Sequence, residues 1–329
     1  MLERIRSLVI PPNWARVWIC PSPKGHLQAT GRDAKGRKQY RYHNLYRTAR
    51  EGTKYEKMIL LGEILPKIRQ RICQDLSLRG LPKEKVLATV VRLMDLAHVR
   101  IGNEEYAREN QSYGLTTMRD KHVEIAGSTL RFEFKGKSGK LHRLEVNDRR
   151  LAAIVARCKD LPGYELFQYV DEQGNAVSVD SAMVNHYLRE ITGEDVTAKD
   201  FRTWHGTVHA AIELKACGVF STESEAKHNI LGAIKIVAER LGNRPATCRK
   251  YYIHPLIVDA YVSGDLPQQM MFSAGGQQLS TLNPAEKCVL KILRREQQSA
   301  TPKIVSTQTH RGGKMWMIDL GTSKSRTIT

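Results

Sequence analysis

Tyr252 stands in the run LGNRPATCRKYYIHP, and far upstream of it lie Arg100 in HVRIGNEEY, Lys137 in FKGKSGK and Arg202 in TAKDFRTWHGT. Together these residue types meet the needs of metal-free breakage of a phosphodiester. A phenol attacks, guanidinium forks hold the negative charge of the pentacoordinate transition state, and an ammonium protonates the leaving sugar hydroxyl. Attack by a phenol conserves the energy of the bond in a phosphotyrosine, so the strand can be rejoined without ATP. Taken singly, each arginine reads as an ordinary residue of a helix or its end, and a Gly-Lys-Ser hairpin turn as solvated decoration. Only the joint pattern carries the chemistry.

The elements that must position these residues follow from charge and periodicity. The chain has 329 residues, a formal net charge of +18 and 41% hydrophobic residues, enough for two domains with a sizeable core. The charge is uneven: residues 1–80 hold 17 Lys and Arg against 6 Asp and Glu, residues 81–269 hold 26 against 25, and residues 270–329 hold 9 against 3. A basic N-terminal module beside a nearly neutral middle suits phosphate contacts by the former and chemistry by the latter. The short alternations RVWIC, LQATGR and RKQYRYH, broken by the turn DAKG, predict a small antiparallel sheet at the N-terminus. A helical pattern from about Lys54 to Leu78 leads to Gly80 and Pro82, which places a domain boundary near residue 79. Beyond it come a second helix, the hairpin pair HVEIAG and LRFEFKGKSGKLHRLEV, and helices near 147–158, 180–191, 199–216 and 223–241. Pro245 opens a further helix that breaks near Pro255, with Tyr252 on or beside it. Past Gly264 a polar loop precedes a helix started by Asn283, Pro284 and Glu286 and then a loosely held basic tail. The expected fold class is α+β: a β-rich domain over 1–78, a larger, mainly α-helical catalytic domain over 79–264, and an extension over 265–329.

Several other chemistries are excluded or disfavoured. No stretch approaches the roughly 20 apolar residues of a membrane span, and the N-terminus lacks a signal-peptide core and cleavage site, so a cytoplasmic protein is expected. The six cysteines are scattered, without zinc or disulfide spacing, and no metal is expected. Gly136-Lys137-Ser138 imitates the end of a phosphate-binding loop, yet the position five residues before Gly136 is Arg131 rather than glycine, so no nucleotide is expected either. His205 and His209 lie one helical turn apart without a third ligand, and packing is the expected use.

The joint pattern resembles the type IB DNA topoisomerases, specifically their small poxvirus and bacterial branch, from about residue 8 to residue 264. The motif R-[IF]-G is matched at Arg100, the lysine after a glycine in a β-hairpin at Lys137, and K-D-x-R-T at Arg202. The nucleophile follows a His or Asn by nine residues within L-G-[HN]-x-P-A, which selects Tyr252 over its neighbour Tyr251 and assigns Asn243. The run RDAKGRKQYRYH places Gln39, Tyr40 and Tyr42 where family members touch the major groove; Tyr106 and Lys199 are further expected DNA contacts. Asn243 stands where poxvirus members have histidine; an amide donates the same hydrogen bond to a nonbridging phosphate oxygen without titrating near neutrality. Ser138 and Asn103 also replace charged residues of the viral pattern.

The resemblance implies a clamp of two domains around duplex DNA and a fold like that of topoisomerases IB and tyrosine recombinases. It also implies a 3'-phosphotyrosine with a free 5'-hydroxyl, and relaxation of supercoils of either sign by a nucleoid-associated monomer without cofactor. Lys137 is the expected general acid, acting with Arg100. A tyrosine recombinase would place histidine three residues before the second arginine, where this chain has Lys199. An architectural DNA-binding protein would leave Lys137 and the spacing before Tyr252 unexplained.

Overall fold

The computed structural model describes residues 2–266, 281–300 and the strands Lys303–His310 and Gly313–Asp319. The chain forms two compact units, Met1–Lys57 and Met58–Thr329. In the first, helix α1 (Leu2–Ser7) precedes strands β1 (Ala15–Ile19), β2 (Leu27–Arg32) and β3 (Lys38–Tyr42), an antiparallel sheet in that order. The three alternating runs therefore pair as expected, with Thr30 opposite Tyr40 and Gly31 opposite Gln39. The DAKG turn is closed by Asp33, whose Oδ1 accepts the amides of Lys35 and Arg37, each at 3.0 Å, while Gly36 supplies the left-handed φ of +74°. Central strand β2 buries Ala29 fully, and its Gln28 accepts from Arg4 at 2.6 Å and donates to the Gly25 carbonyl at 2.6 Å.

Helix α2 (Asn44–Asp75) starts ahead of the expected Lys54. Its later turns bury Met58, Leu61, Leu65, Ile68 and Ile72 in the second unit's core, a three-and-four spacing that makes one apolar stripe. That stripe puts the division between units inside the helix, ahead of the residue-79 position suggested by Gly80 and Pro82.

The second unit is built around α3 (Lys83–Ala97), buried on every side from Lys85 to Asp95, as a helix at the centre of a core must be. Around it come α4 (Glu104–Asn110) and the antiparallel sheet β4 (Val123–Ala126), β5 (Thr129–Lys135) and β6 (Leu141–Asn147). Helix α5 (Arg149–Lys159) follows, then the small hairpin β7 (Gln168–Val170) and β8 (Ala176–Ser178), whose three-residue strands left no periodic signal. Helices α6 (Ser181–Thr192), α7 (Ala198–Ala216) and α8 (Glu223–Arg240) lie within two residues of their expected bounds. Then come α9 (Pro245–Tyr251), α10 (Pro255–Val262) and α11 (Pro284–Ala300), the last opened by the expected capping box: Asn283 Oδ1 accepts the Glu286 amide at 2.8 Å and Glu286 Oε2 accepts the Asn283 amide at 2.9 Å. The fold is α+β, as expected. In the stretch expected as a loose tail, β9 (Lys303–His310) and β10 (Gly313–Asp319) pair antiparallel. The polar loop 267–280 and residues 320–329 lie outside the described residues.

Trp204 of α7 is fully buried, and a β-carbon on Gly62 of α2 would lie 2.6 Å from its ring and 3.1 Å from Leu290. Gly62→Ala is expected to destabilise the second unit by about 1–3 kcal/mol through overpacking, read as a lower urea midpoint.

Candidate active site

Arg100 follows the end of α3, which stops at His98 in the left-handed region at φ +56°. The loop that carries Arg100 is pinned to the segment 114–117: the Leu115 amide donates to the Arg100 carbonyl at 2.9 Å and the Thr116 amide to the Ile101 carbonyl at 2.7 Å. Two glycines allow this approach. Gly102 has φ +111°, and a β-carbon on Gly114 would lie 2.6 Å from the Arg100 carbonyl oxygen. The glycine of R-I-G is thus a requirement of backbone packing.

Arg202 sits in the second turn of α7. The Asp200 of K-D-x-R-T starts that helix by capping it: its Oδ2 accepts from the Thr197 amide at 2.9 Å and from the Thr197 hydroxyl at 2.8 Å. Helix α8 ends in a Schellman turn. Gly242, at φ +59°, donates to the Glu239 carbonyl at 3.0 Å, and the Asn243 amide donates to the Ala238 carbonyl at 2.8 Å. This turn frees the Leu241 carbonyl and projects Asn243, which explains L-G-[HN] in physical terms. Tyr252 closes α9, whose first residue is Pro245, and Pro255 starts α10, so the tyrosine lies at the break between two helices. Thr207 of α7 bridges that break: its hydroxyl donates to the Tyr252 carbonyl at 3.2 Å and accepts from the His254 amide at 3.1 Å. Gly206 makes room, since a β-carbon there would lie 2.6 Å from the Tyr252 carbonyl oxygen.

These elements bring Arg100, Arg202, Asn243 and Tyr252 together. Arg202 donates through Nη1 to the His98 carbonyl and through Nη2 to the Leu241 carbonyl at 2.6 Å. Arg100 donates through Nη1 to the same Leu241 carbonyl at 3.5 Å and through Nη2 to Asn243 Oδ1. The Arg202 guanidinium lies 5.4 Å from the centre of the Tyr252 ring, and the phenol interacts with both arginines. Tyr251 instead points outward beneath Lys250. Arg202 is only 4% exposed, yet among the described residues neither arginine has a carboxylate partner. Burial, with Arg100 next, pushes the Arg202 guanidinium down to about 10, and burial lowers Arg100 as well; both stay charged at neutral pH. Asn243 Nδ2 and Arg202 Nε are buried donors with no acceptor among the described residues. Two adjoining cations and two idle donors around a phenol form a site for an anion.

Lys137 is not brought to the four. It lies exposed in the single turn Lys137–Gly139 at the tip of the β5–β6 hairpin, with no hydrogen bond to them among the described residues. Lys140, which the sequence reading passed over, donates to the Asn243 carbonyl at 2.7 Å. On β3 of the other unit, Tyr40 and Tyr42 are exposed on one face with rings 6.0 Å apart, whereas Gln39 points to the opposite face and donates to Asp33 at 2.9 Å. Tyr106 is exposed on α4, and Lys199 is exposed in the first turn of α7.

Behind Arg202 lies a buried polar network that the sequence reading also missed. His205 and His209 are buried, as packing predicted, but they do more than fill space. The rings of His205 and His98 lie 4.2 Å apart, and His209 shares a hydrogen bond with His98 at 2.8 Å. His205 meets Asp95 Oδ1 at 3.1 Å. Asp95 is held bidentately by Arg69 at 2.9 and 3.0 Å, and Arg69 grips Glu286 of α11 at 2.8 and 2.9 Å. Burial alone would raise the Asp95 carboxyl, but Arg69 and His205 hold it well below the usual carboxylate range. An arginine and an aspartate inside an apolar helix pattern, Arg92 and Asp95 in VVRLMDLA, were the available signals.

Residues 43–262 match the family described as eukaryotic DNA topoisomerase I, catalytic core, and residues 1–33 match bacterial DNA topoisomerase IB, N-terminal domain. DNA topoisomerase 1B of Acanthamoeba polyphaga mimivirus is 33% identical over 268 residues, which cover 79% of this chain and 80% of that protein. DNA topoisomerase 1B of vaccinia virus (strain Copenhagen) is 26% identical over 232 residues, 70% of each. Among solved structures, the XerH site-specific recombinase bound to its difH substrate is similar at a TM-score of 0.36 and 14% identity, over 58% of this chain and 49% of that one.

Two predictions follow from the network. Because the Asp95 pKa is depressed in the fold, its stabilisation is present above the ordinary value of 3.8 and is lost as pH falls below it toward the folded value. Asp95→Asn should cost about 3 kcal/mol or more at pH 7, with the gap to wild type narrowing only once the pH falls below 3.8 in denaturant titrations. Arg202→Lys keeps a charge but loses the fork that spans two carbonyls, so that one of them is left unanswered; the second unit should lose about 1–3 kcal/mol in denaturant titrations.

Proposed function

The chain belongs to the type IB DNA topoisomerases, and from that membership we propose that it relaxes positive and negative supercoils through a transient break in one strand, with Tyr252 as the nucleophile. The observation that carries the residue assignments is the pair of guanidinium groups beside the Tyr252 phenol, neither with a carboxylate partner among the described residues. Bound phosphodiester would supply the anion that this pair lacks.

In the forward step the Tyr252 oxygen forms a bond to phosphorus and the bond to the 5'-oxygen breaks. The phenolic proton passes to solvent or to the phosphate surroundings. Arg100 and Arg202 meet the nonbridging oxygens, and Asn243, oriented by the bond its Oδ1 accepts from Arg100, adds Nδ2, a buried donor with no acceptor among the described residues. The amide does this without titrating, so the step does not depend on a protonated histidine. Lys137, exposed at the tip of its hairpin in the free protein, delivers a proton to the leaving 5'-oxygen of bound DNA. Rejoining is the same path reversed, so neither ATP nor a metal ion takes part. Tyr40 and Tyr42 present adjacent exposed rings for groove contact, and Lys199 and Tyr106 offer further contacts on the larger unit. A monomer carries all of these groups. No described helix is long and apolar enough to cross a membrane, and the cell compartment proposed is the cytoplasm, at the nucleoid.

The test is relaxation of supercoiled plasmid by wild type and Tyr252→Phe with EDTA present and no ATP, with a denaturing quench to trap covalent adducts. Relaxation and a 3'-linked adduct in wild type, both lost in the variant, are expected. DNA binding without either would overturn the reading in favour of an architectural protein. Adducts at one sequence only, with strand exchange, would replace it with a recombinase.

A further inference from the structure

One ring beside the site has no part in the steps above. His142 of β6 faces Phe134 of β5 across the hairpin, with ring centres 5.1 Å apart and planes within 6°. The same imidazole occupies a slot between two glycines from distant parts of the chain. A β-carbon on Gly136 would lie 2.6 Å from His142 Nε2, and one on Gly242 would lie 2.6 Å from the same nitrogen while colliding with Cε1. Gly136 immediately precedes Lys137, and Gly242 immediately precedes Asn243. Two further bonds tie these strands of chain together: the Gly136 amide donates to the Lys140 carbonyl at 2.7 Å, and Lys140 Nζ donates to the Asn243 carbonyl at 2.7 Å.

We propose that His142 is a positioning residue for the general acid: its ring sets the spacing between the hairpin that carries Lys137 and the turn that carries Asn243. The inference rests on the reading in which Lys137 protonates the leaving 5'-oxygen. Burial, reinforced by Arg100, Arg202 and Lys140, pushes the His142 imidazole down to about 4, so it is neutral at pH 7 and works by shape. Without the ring, Gly136 and Gly242 would face an empty slot. The hairpin would then be anchored to the turn chiefly by the flexible Lys140 side chain, and Lys137 would lose its fixed approach to the leaving group.

The test compares two suicide duplexes, one with the natural 5'-oxygen and one with sulfur bridging at that position. With sulfur, the bond from Tyr252 to phosphorus forms as before, and the phosphorus–sulfur bond breaks with its electron pair leaving on a thiolate. A thiol has a reference pKa of about 8.5, so this departure needs no acid. Lys137→Ala, His142→Ala and His142→Phe are each measured in single turnover on both duplexes. On oxygen, Lys137→Ala and His142→Ala should cleave about tenfold or more slower than wild type, whereas His142→Phe, which refills the slot with a flat ring, should stay within about threefold. On sulfur, all three should come within about threefold of wild type, because the proton has become irrelevant. Rescue of Lys137→Ala but not of His142→Ala would overturn the positioning role and leave a general packing defect, as would an unimpaired His142→Ala on oxygen. Failure of sulfur to rescue Lys137→Ala would instead remove the acid assignment, and this inference with it. Thermal melting of each variant separates lost fold from lost positioning.

Discussion

Two guanidinium groups held side by side, with no carboxylate on either among the described residues, constitute the constraint on which the second unit depends. A buried cation is costly unless something polar answers it, and an acidic partner would neutralise the charge that the proposed phosphodiester substrate would meet. The fold answers with main-chain oxygen. The Leu241 carbonyl takes one bond from each arginine, and the His98 carbonyl takes another from Arg202. Both carbonyls sit at helix ends, where the last turn leaves oxygens unused. The left-handed cap at His98 and the Schellman turn at Gly242 therefore serve as ligands of the arginines as well as ends of helices.

Such ends must be held still, and the buried charge behind them does so. Asp95 gathers Arg69, Arg92 and His205 into one cluster, and Arg69 extends it to Glu286 at the start of α11. A set of charges this dry would be poor value as plain stability, because well-packed apolar residues can do as well. Its geometric specificity is more to the point: the bidentate forks of Arg69 fix α2, α3 and α11 relative to one another, and His205 of α7, whose ring lies 4.2 Å from that of His98, joins them through Asp95. The helix beyond residue 262, where the family match ends, is thereby part of the catalytic unit's frame.

Much of this was legible in the sequence, and for identifiable reasons. Helix bounds followed from local rules that need no tertiary partner: Thr197 with Asp200, Asn283 with Glu286, Pro245 and Pro255. Arg100 and Arg202 stood out with Tyr252 as a joint pattern, the family resemblance added Asn243 and chose Tyr252 over Tyr251, and the fold converges the four. What stayed hidden was long-range. Gly136 and Gly242 read as turn glycines until the ring they both accommodate is seen, and His142 reads as one polar residue in an alternating strand. Lys140 gave no sign beyond its charge, and Gln39, adjacent to Tyr40, shares a motif with it but not a face, since strand side chains alternate. The division of the units within α2 was masked because a continuous helix gives no break in periodicity where its neighbours change.

The use of amide oxygen in place of carboxylate has a consequence for the conditions the site tolerates. Carbonyls do not titrate, and Asn243, unlike a histidine, does not either. The holders of the anion pocket therefore have no acidic limb of their own. What acid can remove is the support underneath, where Asp95 is the ionised group on which the alignment rests. Acid would accordingly act on the anion pocket through its support rather than through its holders, setting in cooperatively and reversing with the fold.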